Sequence, residues 1–358
     1  MQFRHSTNTE KQIGLEYIRG VAALTVAISH YILRLYPVPS WEYLAGIAVE
    51  IFFPLSGFVL GRQILQIVAV RSGLGIFFSR RWIRTLPAYI LALVVFSHFF
   101  GKVLDESFFE YFFFIKYLSP DFAHNNFFPV AWSLAVEEWY YILFPLFIFA
   151  TTTKKSTESR LLLLSVGFCL LFVALRLIAS RTGDVSFLRI GTLFRLDAIC
   201  IGFVFFLLSR YSKAWFILFG AATGSVAVGV LVIFLPHLLP HVSTIRPLQA
   251  AIVLTLIPIF FGSLVALISL WEDRHRHYFW PFVRGLGLWL GRVSYSVFLF
   301  HLLIIYFAFP NAVLSDLPYY LLTLGVICTI TFYLFEKPLL DLRPQYPTRT
   351  PLEPRKTW

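Results

Sequence analysis

The sequence predicts an all-α fold: a polytopic membrane protein with about ten transmembrane helices. Three observations lead there. Of its 358 residues, 58% are apolar and only 14% charged, against about 25% charged in an ordinary soluble domain. Phe, Tyr and Trp make up 18% of the chain, more apolar surface than a water-soluble fold of this length can hide. The apolar residues also come in unbroken runs such as LLLLSVGFCLLFVAL. These show none of the polar–apolar alternation of a membrane β-barrel, the other structure able to span lipid.

The runs long enough to span, about 20 residues each, can be taken in order. The first, 13–36, contains Arg19 and His30. It is too long for the apolar region of a signal peptide and no small-residue cleavage site follows, so it is expected to remain as a span. The second, 43–68, carries Glu50. The third, 85–101, follows the basic stretch from Ser79 to Arg84. Residues 105–126 are aromatic but charged, which suits the membrane interface or a re-entrant segment. The run 127–149 is interrupted by Glu137 and Glu138. Then come 160–180 and 192–209, the latter with Arg195 and Asp197, followed by 214–236 and 247–270, which carry no charge. The run 288–309 holds His301, and 317–335 ends before Glu336. Residues 1–341 therefore read as one transmembrane domain. The Pro- and Arg-rich residues 342–358 read as a loose tail.

Ten spans place both termini on one side. With the N-terminus inside, 20 Lys and Arg fall in inner segments and 7 in outer ones, which predicts cytoplasmic termini. The net charge of +11 is explained by this topology, with the bilayer and not nucleic acid as the partner. Cys169, Cys200 and Cys328 lie inside apolar runs without CxxC spacing, so neither a disulfide framework nor a metal site is expected.

Ionisable residues inside spans are costly, and each is a candidate functional group. Arg19 and His30 are eleven residues apart. That is three helical turns plus about 20°, so they share a face about 16 Å apart along the axis. An arginine at the cytoplasmic mouth can hold an anion, and a deeper histidine can move protons near neutral pH. A structural histidine with a snorkelling arginine accounts for the isolated pair as well. Arg81 and Arg84, at i,i+3, present two guanidinium forks on one face. The forks suit a phosphate or an ordinary positive-inside anchor. Glu137 and Glu138 point about 100° apart, so only one faces a given cavity, whereas Ser133 and Glu137 share a face. Arg195 and Asp197 can neutralise each other locally. Glu50, Asp197, His301 and Glu336 complete the intramembrane set.

Taken together, these residues resemble the acyltransferase-3 family of integral membrane O-acyltransferases. The resemblance rests on motifs in order along nearly the whole chain. They are Arg19-x10-His30, Glu50-x-Phe52-Phe53-x-x-Ser56-Gly57-Phe58, Arg81-x-x-Arg84-x-x-Pro87, Trp132-Ser133-Leu134-x-x-Glu137-Glu138, Arg195-x-Asp197-x4-Gly202, Ser294-Tyr295-Ser296-x-Phe298-Leu299-x-His301 and Glu336-Lys337-Pro338. Two positions depart from the family pattern: Glu50 where Asp is expected, and Trp139 where a polar residue is common.

The resemblance implies ten core helices. It also implies transfer of an acyl group, most often acetyl from acetyl-coenzyme A, to a hydroxyl of a carbohydrate or glycolipid at the cell envelope, in a bacterial inner membrane. The acyl-coenzyme A is then a substrate, and no cofactor or metal is expected to stay bound. Arg19, Arg81 and Arg84 are expected to hold the donor. His30 is expected to act as general base, with Glu137 orienting it or another polar group. Glu50, Ser133, Asp197 and His301 are candidate pocket residues. Two rivals remain on the residues alone: a transporter of a glycan or lipid intermediate, and a sensor switched by titration of His30.

Overall fold

The computed structural model describes residues 12–345, apart from 72, 123, 125, 182–183, 212–213, 239–244 and 276–279. It is all-α among these residues, with fourteen α-helices and no strand. In chain order the helices are α1 (Ile13–Leu35), α2 (Pro39–Glu50), α3 (Phe52–Val70), α4 (Gly73–Phe99), α5 (Glu106–Phe112), α6 (Ala131–Thr151) and α7 (Glu158–Ala179). They continue with α8 (Val185–Ile190), α9 (Leu196–Leu208), α10 (Ala214–Leu238), α11 (Ile245–His275), α12 (Pro281–Ala308), α13 (Leu317–Thr331) and α14 (Lys337–Asp341). A π-helical turn, Phe332–Glu336, joins α13 to α14. Among the described residues, nine helical segments are long and apolar enough to cross a membrane.

Three segments differ from expectation for physical reasons. The run at 43–68 divides into α2 and α3 at Ile51. Pro54 has no N–H to give the Glu50 carbonyl, so the helix is interrupted three residues before it. The run at 85–101 is the second half of a helix that begins twelve residues earlier, at Gly73. The three arginines between hide its start from a hydropathy reading. The run at 192–209 becomes a 3-10 turn, Thr192–Phe194, and the 13-residue α9. At about 20 Å, α9 is short of a hydrocarbon core of about 30 Å. Nearly all its residues are buried, because α3, α7 and α11 surround it.

Close approach of backbones fixes this arrangement. A Cβ on Gly57 would overlap the Ile199 carbonyl, and one on Gly202 would overlap the Pro54 carbonyl. Gly57 and Gly61 are four apart on α3, and a Cβ on Gly61 would enter the Phe206 ring. Membrane helices lack a hydrophobic drive toward one another, so small residues that admit tight packing hold the α3–α9 crossing together. Gly202→Ala should therefore destabilise the protein by about 1–3 kcal/mol, as overpacking does. Gly220→Ala, where nothing lies within 4 Å, should not. Thermal melting in detergent, followed by size-exclusion chromatography, checks the pair.

The second main crossing packs α1 along α12. A Cβ on Gly20 would press into Leu290, and one on Gly291 into Glu16. The start of α1 is held by α11: the N–H groups of Ile13 and Gly14 donate to the two carboxylate oxygens of Glu272, at 2.6 and 2.8 Å. The acid satisfies free N-terminal donors and complements the helix dipole. One apolar core centres on α3, α6, α7 and α9, and a second on α1, α4, α12 and α13.

The aromatic stretch after α4 folds back on the bundle. Asp105 caps α5, accepting from the Phe108 N–H at 2.8 Å. Trp139 of α6 donates its indole N–H to the Phe114 carbonyl at 3.0 Å, which gives the unusual residue at 139 a structural use. Burial pushes the phenol of Tyr111 up to about 12, and its hydroxyl donates to the Asn126 side chain. Phe109, Phe112 and Phe113 stay exposed, consistent with an interfacial element.

Candidate functional site

Arg19 and His30 stand on α1 with α12 beside them. His30 Nδ1 lies 2.9 Å from Nε2 of His301. The ring planes differ by 10° and their centroids are 5.1 Å apart. His301 is fully buried, while His30 keeps part of its surface open. The charged groups acting on His30 are Glu42 of α2 and Arg189 near the end of α8. These two pair with each other at 3.0 Å.

Toward the other end of α1, Arg19 reaches Glu16 at 3.4 Å. Facing it are the arginines of α4. Arg81 is buried and its guanidinium lies 4.0 Å from the Tyr141 ring centre, a cation–π contact. Its Nε has no hydrogen-bond partner. Arg84 lies within electrostatic reach of Arg19, Arg81, Glu16 and Arg343. Among the described residues, no hydrogen bond or ion pair engages the side chain of Arg81 or Arg84. Arg19, Arg80, Arg81, Arg84 and Arg343 thus converge here with few acids between them. Arg343 was not foreseen from the sequence, because it falls in the part read as a loose tail. Burial pushes its guanidinium below its ordinary value, and the charges of Arg80 and Arg81 push it further. The Pro344 carbonyl accepts from Arg80 at 2.6 Å, so the segment after α14 packs over the cluster. Residues 346–358 of the expected tail lie outside the described residues. Within this cluster the Arg81 and Arg84 guanidinium groups make no hydrogen bond or ion pair, an arrangement that suits an anion.

The paired acids of α6 part company, as their 100° separation requires. Glu137 accepts from Ser56 at 3.0 Å and from Tyr141 at 2.8 Å, so it braces the ring on which Arg81 lies. Glu138 turns to α4 and accepts from Thr85 at 2.7 Å. Ser133 shares the Glu137 face, but its hydroxyl donates to the Val130 carbonyl of its own chain turn at 3.3 Å and does not join that carboxylate. Glu336, on the π-helical turn, accepts from Ser296 of α12 and lies within reach of Arg84. Ser56, Thr85, Tyr141 and Ser296 carry no charge, so intramembrane charge alone does not reveal them.

Arg195 and Asp197 do not neutralise each other. Residues two apart point to opposite sides of a helix. Arg195 pairs with Glu50. Asp197 takes a two-pronged pair from Arg176 of α7, with both contacts at 2.8 Å. All four are buried. Arg176 lies inside the bundle and also donates to Thr255 at 2.6 Å. These charges are satisfied by one another, so they join α7, α9, α11 and the kink before α3. Glu50 and Asp197 are structural here and do not present a free carboxylate to a ligand. Among the described residues no cluster of ligands suits a metal ion.

The profile of the acyltransferase-3 family, described as an acyltransferase domain, matches residues 12–336. A Staphylococcus aureus (strain COL) protein named "Putative O-acetyltransferase" is 24% identical over 349 residues, covering 89% of this chain and 55% of its own length. The chain thus spans about half the length of such curated relatives. A protein of Acidianus two-tailed virus named "Putative acetyltransferase" is 32% identical over 163 residues, 43% of this chain and 44% of its own. No solved structure matches the chain. The profile takes in both ends of the site, from Arg19 to Glu336, and the protein belongs to the acyltransferase-3 family.

Proposed function

We propose that the protein is a membrane O-acyltransferase that moves an acyl group, most simply acetyl, from acyl-coenzyme A to a hydroxyl of a carbohydrate or glycolipid. The observation that carries this reading is the division of α1. One end faces Arg81 and Arg84, whose guanidinium groups make no hydrogen bond or ion pair among the described residues. The other, about 16 Å along the helix, presents a histidine that is still partly open. A donor with an anionic head and a slender thioester arm fits both ends at once. A transporter has less use for a cation cluster set at a fixed distance from a base.

In this reading Arg81, Arg84 and Arg19 hold the phosphates of the donor. Glu137 keeps Tyr141 in place under Arg81. His30 takes the proton from the acceptor hydroxyl as its oxygen attacks the thioester carbonyl. A carbon–oxygen bond forms, the carbon–sulfur bond breaks, and the leaving thiolate takes the proton back from His30. Ester and free coenzyme A result. Nothing is oxidised or reduced.

The arginine cluster belongs on the cytoplasmic side, where the donor is made, in the inner membrane of a bacterial cell. A reporter fused after Trp358 should accordingly register a cytoplasmic C-terminus. An external one would reverse the site. The function itself is tested by the acetyl-ester content of surface glycans in cells with and without the gene. Loss of a glycan ester on deletion, restored by the wild-type gene, is expected. Unchanged ester content would contradict the assignment.

A further inference from the structure

We infer that His301 is a positioning residue: by accepting the Nδ1 proton of His30 it fixes that ring in the tautomer whose free Nε2 lone pair faces the acceptor. The inference rests on His30 being the base and extends that reading to a residue of another helix. It follows from the direction in which protons can lie along the chain of contacts. Nδ1 of His301 is 2.8 Å from the Phe298 carbonyl and 3.2 Å from that of Val297. Carbonyl oxygens only accept, so this nitrogen carries its hydrogen. A neutral His301 then has its lone pair on Nε2. That nitrogen lies 2.9 Å from His30 Nδ1, so His30 Nδ1 is the donor and His30 Nε2 is left basic.

The neutral form of His301 follows from its surroundings. It is fully buried and no carboxylate contacts it. Its polar contacts are the two carbonyls and His30. The charged groups near the pair, Glu42 and Arg189, act on His30 and are paired with each other. The carbonyls belong to the turn of α12 just before His301, so the ring is tied to its own helix. The close α1–α12 crossing at Gly20 and Gly291 sets its distance from His30. When His30 gains a proton during reaction, its Nδ1–H keeps a neutral acceptor, which supports the imidazolium without trapping it. The proton remains available for the departing thiolate. A helix carbonyl, through His301, thus performs the orienting task that a carboxylate performs in a Ser-His-Asp triad.

The test compares His301→Gln, His301→Asn and His301→Leu with His30→Gln. Transfer of label from acetyl-coenzyme A to membranes of the parent cells is measured, with every variant checked for folding by size-exclusion chromatography. Gln can place an amide oxygen near the position of imidazole Nε2, whereas Asn is too short and Leu has no acceptor. The expected order is wild type, then His301→Gln, then Asn and Leu lowered by about 10²–10⁴-fold in kcat, all with KM for acetyl-coenzyme A unchanged. A residue needed only to fill space gives the opposite order, with Leu tolerated and Gln poor. Equal activity of Gln and Asn, or normal turnover of Leu, overturns the inference. Should Leu fail to fold, the Gln–Asn comparison decides. His30→Gln separates the two claims: if it is inactive while every His301 variant is normal, only the positioning role falls. If it is active, the base itself is wrong.

Discussion

His30→Gln should lower turnover by about 10²–10⁴-fold, the usual worth of a general base, while leaving the affinity for coenzyme A nearly intact. Gln keeps a hydrogen-bonding side chain of similar size, yet it cannot take up a proton at neutral pH. Its effect therefore isolates proton transfer from packing. Donor affinity should be spared because the arginines that would hold the phosphates lie toward the far end of α1, about 16 Å away. Arg19→Ala should show the converse, chiefly a raised KM for acetyl-coenzyme A, since it removes a contact made before and during reaction. Arg19 has a neighbour in Glu16 at 3.4 Å, so part of its charge is already balanced and its effect should be the milder. Acetyl transfer and coenzyme A binding, measured side by side on membrane-inserted protein, check both variants. Near-normal turnover of His30→Gln would make His30 structural.

Changing Arg81 and Arg84 together to Ala should weaken donor binding severely. A hydrogen bond to a charged group is worth about 1.5–3 kcal/mol, or about tenfold to a hundredfold in affinity for each arginine. Neither side chain has a protein hydrogen bond to lose, so the folded protein should suffer less than the ligand. The double Lys variant should recover only part of the loss. Lys keeps the charge but lacks the bidentate fork, and at position 81 it replaces a planar group lying 4.0 Å from the Tyr141 ring centre. Direct titration with coenzyme A is the measurement. Unchanged affinity in the double Ala variant would return the pair to the role of a membrane anchor.

Much of this architecture is legible in the sequence because lipid imposes a simple rule: helices must be long and apolar. The rule falters where protein replaces lipid as the surrounding medium. Sheathed in other helices, α9 need not span, and α4 can carry three arginines near its start. Individual residues follow the same pattern. The i,i+11 spacing of Arg19 and His30 shows on its own that they share a face. The partner of His30 is 271 positions away, and no local periodicity reports it. Arg195 and Asp197 illustrate the opposite case: proximity in sequence suggested a pair, yet their i,i+2 spacing faces them apart. Their partners came from other helices, as Glu50 and Arg176. Ser133 was placed on the correct face, but a hydroxyl on a helix can satisfy itself on its own backbone, and Ser133 does.

The most direct test of the account is acetyl-labelled acetyl-coenzyme A given to purified protein in proteoliposomes, with a membrane glycan fraction of the parent cells as acceptor. The predicted result is saturable binding of the donor, followed by equal appearance of free coenzyme A thiol and of alkali-labile label on the glycan. His30→Gln should retain the binding and lose both products. A protein that neither binds the donor nor releases its thiol, while the glycan itself crosses the bilayer, would contradict acyl transfer and establish transport in its place.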